Sequence, residues 1–218
     1  MQALAAFLAF TLAGLPAALT PPAPTITDPV GRFPVVLHVA VDDDGAPVLD
    51  EAAIADWFRV AQGHFAPAGI ELAPEARPLP AGWHTLESFR DRHRLKRFLV
   101  PRRINVFVLG EILDPVASAA TERAATRAGF EPSGRLAGAH IESPRHTPAT
   151  YVILSAKHGS ALSLTHELGH FFGVAHHRDP DNIMSYGATR SRFDARQLKT
   201  FRSRAKRHRR DRTIAVER

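Results

Sequence analysis

The stretch HELGHFFGVAHH, residues 166–177, governs the interpretation of the whole chain. His166 and His170 are four residues apart, so on a helix they project from one face a turn apart and can reach the same metal ion. Gly173 permits the left-handed backbone geometry that lets the chain leave the helix. His176 then approaches from another direction. This spacing predicts a zinc site with three imidazole ligands and one position left for water.

Glu167 follows the first histidine but lies about 100 degrees round the helix from it, so we do not expect it to be a ligand. A carboxylate there can take the proton of a zinc-activated water and pass it to the leaving amine of a peptide bond. At this chain's His, Glu and Gly frequencies, the five positions would occur together by chance in roughly one chain in ten thousand. A helix with unrelated surface histidines is therefore the weaker interpretation.

The other histidines are interpreted as ordinary polar residues. We expect His177 to be exposed or to pair with Asp179 or Asp181, acids that can also orient the ligand histidines. Three more lie in or near predicted loops, where a lone histidine usually belongs to the polar surface and a second, structural metal is the alternative. They are His140, His146 and His158.

Composition bounds the kinds of chemistry. The 218 residues suit one domain, and the absence of cysteine excludes a thiolate metal site, a cysteine nucleophile and a cysteine-based latency switch. The net charge is +6, and the segment Lys199–Arg212 carries eight Lys or Arg against one acid. That segment can bind an anionic surface; the alternative is a solvated helix face that continues into a frayed tail. No nucleic-acid motif accompanies it, so we expect no specific nucleic-acid binding.

The N-terminal segment is uncharged and almost wholly apolar from Ala3 to Leu19, and then proline-rich. This pattern predicts an export signal over 1–20 and a linker or short pro-segment over 21–33. A membrane anchor or a buried helix is the alternative, which Pro16 disfavours. We therefore expect a secreted, periplasmic or cell-envelope protein with no stable membrane span after processing.

The pattern of apolar residues predicts an α+β domain over 34–208, followed by a basic tail over 209–218. It has a twisted mixed sheet of four or five strands and about three helices. The predicted strands cover 33–41, 70–73, 104–110, 136–141 and 150–155. Helical patterns cover 51–69, 86–99, 159–174 and 191–206. The first helix should be capped by Asp50 and should bury Ile54, Trp57, Phe58, Ala61 and Phe65. The last should bury Phe193, Leu198, Phe201 and Ala205.

The extended motif HELGHFFGVAH resembles the HExxHxxGxxH signature of metzincin metallopeptidases. The second mark of that clan is a methionine turn, and DNIMSYG, residues 181–187, is similar to it. The resemblance implies that Met184 lies beneath the zinc as an apolar floor. It also implies that Tyr186 reaches the zinc and supports the transition state, as in astacin-like and serralysin-like enzymes. The alternative for Tyr186 is a packed aromatic beside the site.

Upstream, the succession of strand, helix, strand and strand over 34–110 resembles pappalysin-like catalytic domains. Those domains usually carry cysteines, which this chain lacks, and His177 matches no common branch marker, so the branch stays open. The resemblance implies a zinc endopeptidase with one catalytic ion, and the apolar N-terminal segment adds the expectation of export. Its substrate would lie extended along an edge strand formed by 136–141. Two alternatives are a non-catalytic zinc scaffold that works through its basic C-terminal region and a zinc hydrolase of other amides.

Overall fold

The structure is a computed structural model, and it describes residues 28–113, 137–143 and 149–217. Seven strands lie in these ranges: β1 (Gly31–Val39), β2 (Ile70–Pro78), β3 (Thr85–Leu86), β4 (Ile104–Leu109), β5 (Glu111–Ile112), β6 (Gly138–Ser143) and β7 (Ala149–Ser155). The helices of the same ranges are α1 (Glu51–Phe65), α2 (Phe89–Arg94), α3 (Ala161–Phe171) and α4 (Ala195–Arg210). Short 3-10 turns follow α1 at Ala66–Ala68 and α2 at Leu95–Phe98.

Five of the strands form one mixed sheet in the order β2-β1-β4-β7-β6. The first four run parallel, and β6 runs antiparallel to β7 with Gly138 opposite Leu154. A separate two-stranded ribbon joins β3 to β5. The expected α+β domain with a mixed sheet is thereby confirmed, although the described ranges contain four α-helices where we expected about three.

The sheet is covered on both faces. Along β4, Val106 and Val108 join the core beneath α1, α3 and α4, whereas Phe107 and Leu109 join a second core on the opposite face. All six residues of β4 are buried, as its continuous apolar sequence predicts. The histidine-rich motif is thus carried by a helix that packs on a sheet covered on both faces.

The first helix follows the sequence prediction closely. The Asp50 side chain accepts a hydrogen bond from the backbone N–H of Ala53 at 2.7 Å, which satisfies one of the free donors at the helix start. Its buried face consists of the five predicted residues, Ile54, Trp57, Phe58, Ala61 and Phe65. Part of this face packs against α3, so α1 supports the motif helix from behind.

Several element bounds differ from prediction. β1 begins at Gly31, inside the expected linker. β2 continues to Pro78 instead of ending at 73. Among the described strands it pairs only with β1, so the missing backbone N–H groups of its prolines are tolerated at its other edge, where no strand accepts a hydrogen bond. In place of the predicted helix 86–99, the chain forms the short helix α2, Phe89–Arg94, followed by a 3-10 turn, Leu95–Phe98.

The C-terminal segment corrects our expectation of a frayed basic tail. Phe193, Phe201 and Ala205 are buried beside α4 as predicted, while Leu198 is half-buried. Beyond the helix, Ile214 is buried, and the backbones of Arg32 and Glu217 exchange two hydrogen bonds of 2.9 Å. The apolar residues of the sequence TIAVE, 213–217, supply an anchor that the charge pattern concealed.

Some predictions lie outside the described residues. They are the export signal over 1–20, residues 21–27 of the linker, and His146. Within the described ranges, none of the helices has the length and apolarity needed to cross a membrane.

Candidate metal centre

A side-chain cap begins the motif helix α3, and a glycine follows its end. The Ser160 side chain accepts a hydrogen bond from the backbone N–H of Ser163 at the start of the helix. Gly173 follows the helix end with φ of 87°, the left-handed geometry that the sequence predicted for this glycine. The chain then turns back along the helix, so that residues beyond Gly173 can face the side chains of α3.

Three imidazoles converge at this turn. Nε2 of His170 lies 3.2 Å from Nε2 of His166 and 3.1 Å from Nε2 of His176. One ligand atom from each residue lies within 4.8 Å of the others, so the group can hold a metal ion. Tetrahedral zinc with Zn–N bonds of about 2.05 Å would place its ligand nitrogens roughly 3.3 Å apart. The spacing of these nitrogens therefore fits such an ion.

Backbone carbonyls orient two of the rings. Nδ1 of His166 donates to the carbonyl of Ile183, and Nδ1 of His170 donates to the carbonyl of Val174, each at 2.8 Å. With the proton on Nδ1, the lone pair of Nε2 points toward the shared centre, as metal ligation requires.

Asp179 and Asp181, which we expected to orient the ligand histidines, interact with other residues. Asp179 and Asp181 form ion pairs with Arg192, and His177 is exposed and lies 3.6 Å from a carboxylate oxygen of Asp194. His177 also accepts a hydrogen bond from the backbone N–H of Asp179. Among the described residues, main-chain carbonyls hydrogen-bond Nδ1 of His166 and His170, so these two rings do not depend on Asp179 or Asp181 for their orientation.

The pKa of each of the three rings lies below its ordinary value of 6.5, so the neutral form dominates near neutral pH. Burial lowers the pKa of His166 to about 4 and also lowers the pKa of the half-buried His170. His176 is exposed overall, and the partial desolvation of its ring together with the charge of His170 lowers its pKa. A metal ligand must be neutral imidazole, so the same burial that disfavours the charged form prepares the site for a cation.

Glu167 follows His166 on α3 and is buried, with only 8% of its surface exposed. Burial raises the pKa of its carboxyl to about 8, while a hydrogen bond from the backbone N–H of His140 and the charge of Arg190 act in the opposite direction. A Cβ atom placed on Gly138 would lie 3.0 Å from Cγ of Glu167. Strand β6 therefore passes directly against the carboxylate.

Met184 lies beneath α3. It is fully buried, and a Cβ placed on Gly169 would lie 2.5 Å from its sulfur, so the glycine allows the methionine to approach the helix. The turn that carries it is held by Asn182, which accepts from the backbone N–H of Met184 and exchanges two hydrogen bonds with Gln197 of α4. The sequence analysis did not identify this amide pair, since Asn182 lies in the methionine turn but Gln197, fifteen residues later, belongs to no motif.

Tyr186 reaches the same centre. Its hydroxyl lies 2.9 Å from Nε2 of His176, and about half of the residue, 49%, is exposed. The ring therefore lies beside the ligand cluster, which is compatible with both interpretations that the sequence leaves open.

Two residues of the site were not anticipated. His140 lies on β6, not on a surface loop, and its ring stacks on His170 with 6.2 Å between centroids. Arg190 is half-buried, and its charge acts on both Glu167 and His166. Their proximity arises from the strand order and the path of the chain after Met184, which local spacing does not encode. His158, by contrast, contacts Glu111 away from the cluster.

Comparison with known proteins gives a fold likeness. No protein-family model matches the chain, and no curated protein matches it in sequence. Among solved structures, metalloproteinase-II from Bacteroides fragilis superposes with a TM-score of 0.55 at 13% identity. The chain resembles a metalloproteinase in fold. The match covers 83% of this chain and 55% of that protein, so the chain spans little more than half the length of its structural neighbour.

Proposed function

We propose that the protein is a zinc-dependent metalloendopeptidase of metzincin type. The observation that carries the proposal is the convergence of three imidazoles, two with fixed tautomers, together with a buried glutamate that follows His166 on α3. His166, His170 and His176 would hold the zinc ion. When bound, zinc lowers the pKa of water to about 7 and polarises a substrate carbonyl.

Glu167 is the proposed general base. Burial raises the pKa of its carboxyl to about 8, and a metal cation held by the neighbouring histidines would lower that pKa. A carboxyl that titrates near neutral pH can accept a proton from the attacking water. It can then donate the proton to the amine released from the peptide bond.

Tyr186 is the proposed stabiliser of the transition state. Burial raises the pKa of its phenol, and the charge of Glu167 raises it further, so the hydroxyl stays protonated. A protonated hydroxyl beside His176 can donate a hydrogen bond to the oxyanion that develops on the substrate carbonyl.

The substrate is proposed to lie extended along β6. Among the described strands, β6 pairs only with β7, so its other edge has backbone groups available for an added strand. Gly138 of β6 packs against Glu167, and the backbone N–H of His140 hydrogen-bonds the same carboxylate. A peptide on this edge would therefore run past the proposed base.

Export completes the proposal: the apolar segment before residue 20 favours a secreted, periplasmic or cell-envelope location. This part of the proposal rests on sequence alone and is independent of the site.

The function is tested by zinc content and peptide cleavage in the wild-type protein and in Glu167→Ala. We expect one zinc per chain in both proteins, by elemental analysis, and cleavage of casein or a broad peptide library by the wild type only. Arg196→Gln, on the exposed start of α4, is a matched control that should behave as wild type. A wild-type protein that holds zinc but cleaves nothing in the library would instead favour the non-catalytic scaffold.

A further inference from the structure

The segment between Met184 and α4 holds an arginine that the proposed chemistry does not use. Arg190 is half-buried, and the only side-chain hydrogen bond it makes within the described ranges is a long one, 3.5 Å from Nη1 to the carbonyl of Ser185. No ion pair joins it to an acidic residue of these ranges. Desolvating a guanidinium without a carboxylate partner costs free energy, so an arginine kept in this state calls for a ligand.

Its neighbours are fixed in place, which makes the position of Arg190 a property of the fold. The hydroxyl of Thr189 donates to the carboxylate of Asp181 at 2.6 Å, and the backbone N–H of Ser191 donates to the carbonyl of Asp181 at 2.8 Å. The nearby acids Asp179 and Asp181 form ion pairs with Arg192 and not with Arg190. Arg190 is flanked by anchored residues and forms no ion pair within hydrogen-bond distance of an acid in the described ranges.

The Arg190 guanidinium lies near the proposed reaction centre. It reaches the carbonyl of Ser185, and the next residue, Tyr186, places its hydroxyl 2.9 Å from Nε2 of His176. Burial lowers the pKa of Arg190, and the charge of Glu167 acts in the opposite direction, so the guanidinium and this carboxylate interact through space. If the three neutral histidines hold a dication, the dication and the Arg190 guanidinium carry more positive charge than the single Glu167 carboxylate can neutralise. The region would then have a net positive charge. Such a site attracts anionic groups and repels cationic ones.

We infer that Arg190 binds a carboxylate of the peptide substrate close to the scissile bond, on the side lined by residues 185–192. The planar guanidinium can donate two parallel hydrogen bonds to a carboxylate, which gives both geometry and strength. The carboxylate can belong to an Asp or Glu side chain next to the cleaved bond or to the C-terminus of a peptide. This inference rests on the proposed peptidase function and assigns it a substrate class.

The test uses matched peptides that differ in one charge. One pair carries Glu or its uncharged isostere Gln at each position flanking the cleaved bond, and a second pair carries a free or an amidated C-terminus. For the wild type we expect kcat/KM to be about tenfold or more higher for the carboxylate member of at least one pair, as for a charge-assisted hydrogen bond. The pair that shows the preference identifies the source of the carboxylate.

The variants are Arg190→Gln, Arg190→Lys and the control Arg196→Gln. Arg190→Gln should abolish the preference, Arg190→Lys should keep part of it because the charge remains without the planar fork, and the control should keep all of it. Because Arg190 also acts on Glu167, its loss can change the rate for every peptide. The ratio within a pair cancels that change and reports carboxylate recognition alone. A preference that survives in Arg190→Gln, or is missing from the wild type, overturns the inference.

A binding measurement separates this inference from the proposed function. Glu167→Gln, loaded with zinc, should bind the carboxylate peptide about tenfold more tightly than its neutral partner by fluorescence anisotropy, and the added Arg190→Gln change should remove the difference. If the wild type cleaves no peptide at all, the peptidase proposal fails and this binding difference still decides the role of Arg190. Equal binding of both peptides overturns the inference even where cleavage is seen.

Discussion

Two buried histidines, His166 on α3 and His38 on β1, show how similar surroundings serve different ends. Burial lowers the pKa of both rings. The ring of His38 stacks on Phe107 with 4.5 Å between centroids, and its Nε2 donates to Oδ1 of Asn105 at 3.0 Å. His166 donates from Nδ1 instead and leaves Nε2 facing two more imidazoles. Burial and a lowered pKa therefore occur both in a core histidine and in a histidine of the site. The feature that distinguishes His166 is that its free nitrogen faces two other imidazoles.

The largest expected effect is the loss of the metal ion, which should follow removal of His166 but not removal of His38. His166→Ala should lose zinc and reduce peptide cleavage more than a thousandfold, because two imidazoles cannot hold a catalytic zinc firmly. His38→Ala should keep one zinc per chain and most of the activity at a temperature where it is folded. Elemental analysis and peptide cleavage measure both. Zinc lost from His38→Ala, or kept at full occupancy in His166→Ala, would contradict the distinction.

The next effect concerns the stability of the sheet. His38→Ala removes a buried ring that stacks on Phe107 and hydrogen-bonds Asn105, so we expect the free energy of unfolding to fall by about 2–3 kcal/mol. Urea unfolding of zinc-free protein measures this loss. The exposed control Arg196→Gln should change stability by less than about 0.5 kcal/mol. A His38→Ala protein as stable as wild type would mean that the His38–Asn105 contact contributes nothing.

A smaller effect separates ligation from support of the reaction. Tyr186→Phe keeps the ring beside His176 but removes the hydroxyl, so we expect kcat to fall about tenfold to a hundredfold with zinc content and KM nearly unchanged. Steady-state kinetics with one good peptide measures the two constants. A fall in zinc content that parallels the fall in kcat would show that the hydroxyl serves metal retention instead.

The smallest effect is the pH dependence of stability. The pKa of folded His38 lies below its ordinary value of 6.5, so the unfolded chain takes up a proton first as the pH falls. The stability from neutral His38 is complete above pH 6.5 and declines below it, by at most about 1.4 kcal/mol per pH unit. In metal-free protein, His38→Leu should lose less stability than wild type between about pH 7 and 5. Identical slopes for the two proteins would contradict this assignment.

The sequence predicts the histidine cluster well because its three members lie within eleven residues of one helix and its following turn. Helical geometry and the left-handed Gly173 suffice to bring them together. The buried face of α1 and the strand β4 are equally local, since apolar spacing alone specifies them. These features depend on short-range geometry, and the structure has them where the pattern indicates.

Features that depend on long-range packing escape sequence analysis. His140 meets His170 only because β6 lies at the edge beside β7, and Gln197 meets Asn182 only because α4 packs under the methionine turn. Arg190 is one of many arginines in the sequence, and nothing in its immediate neighbours distinguishes it. The C-terminal strand contact at Arg32 was likewise hidden, because a basic run dominates the composition there.

The acceptors that fix the two imidazole tautomers are main-chain oxygens, at Val174 and Ile183. A carboxylate or amide in that role could be deleted by one nucleotide change, whereas a peptide carbonyl survives every substitution of its own side chain. The tautomers are therefore protected against most single substitutions and are sensitive to changes that redirect the main chain. Insertions, deletions or prolines that redirect the backbone after α3 are the variants by which this centre would be lost in evolution.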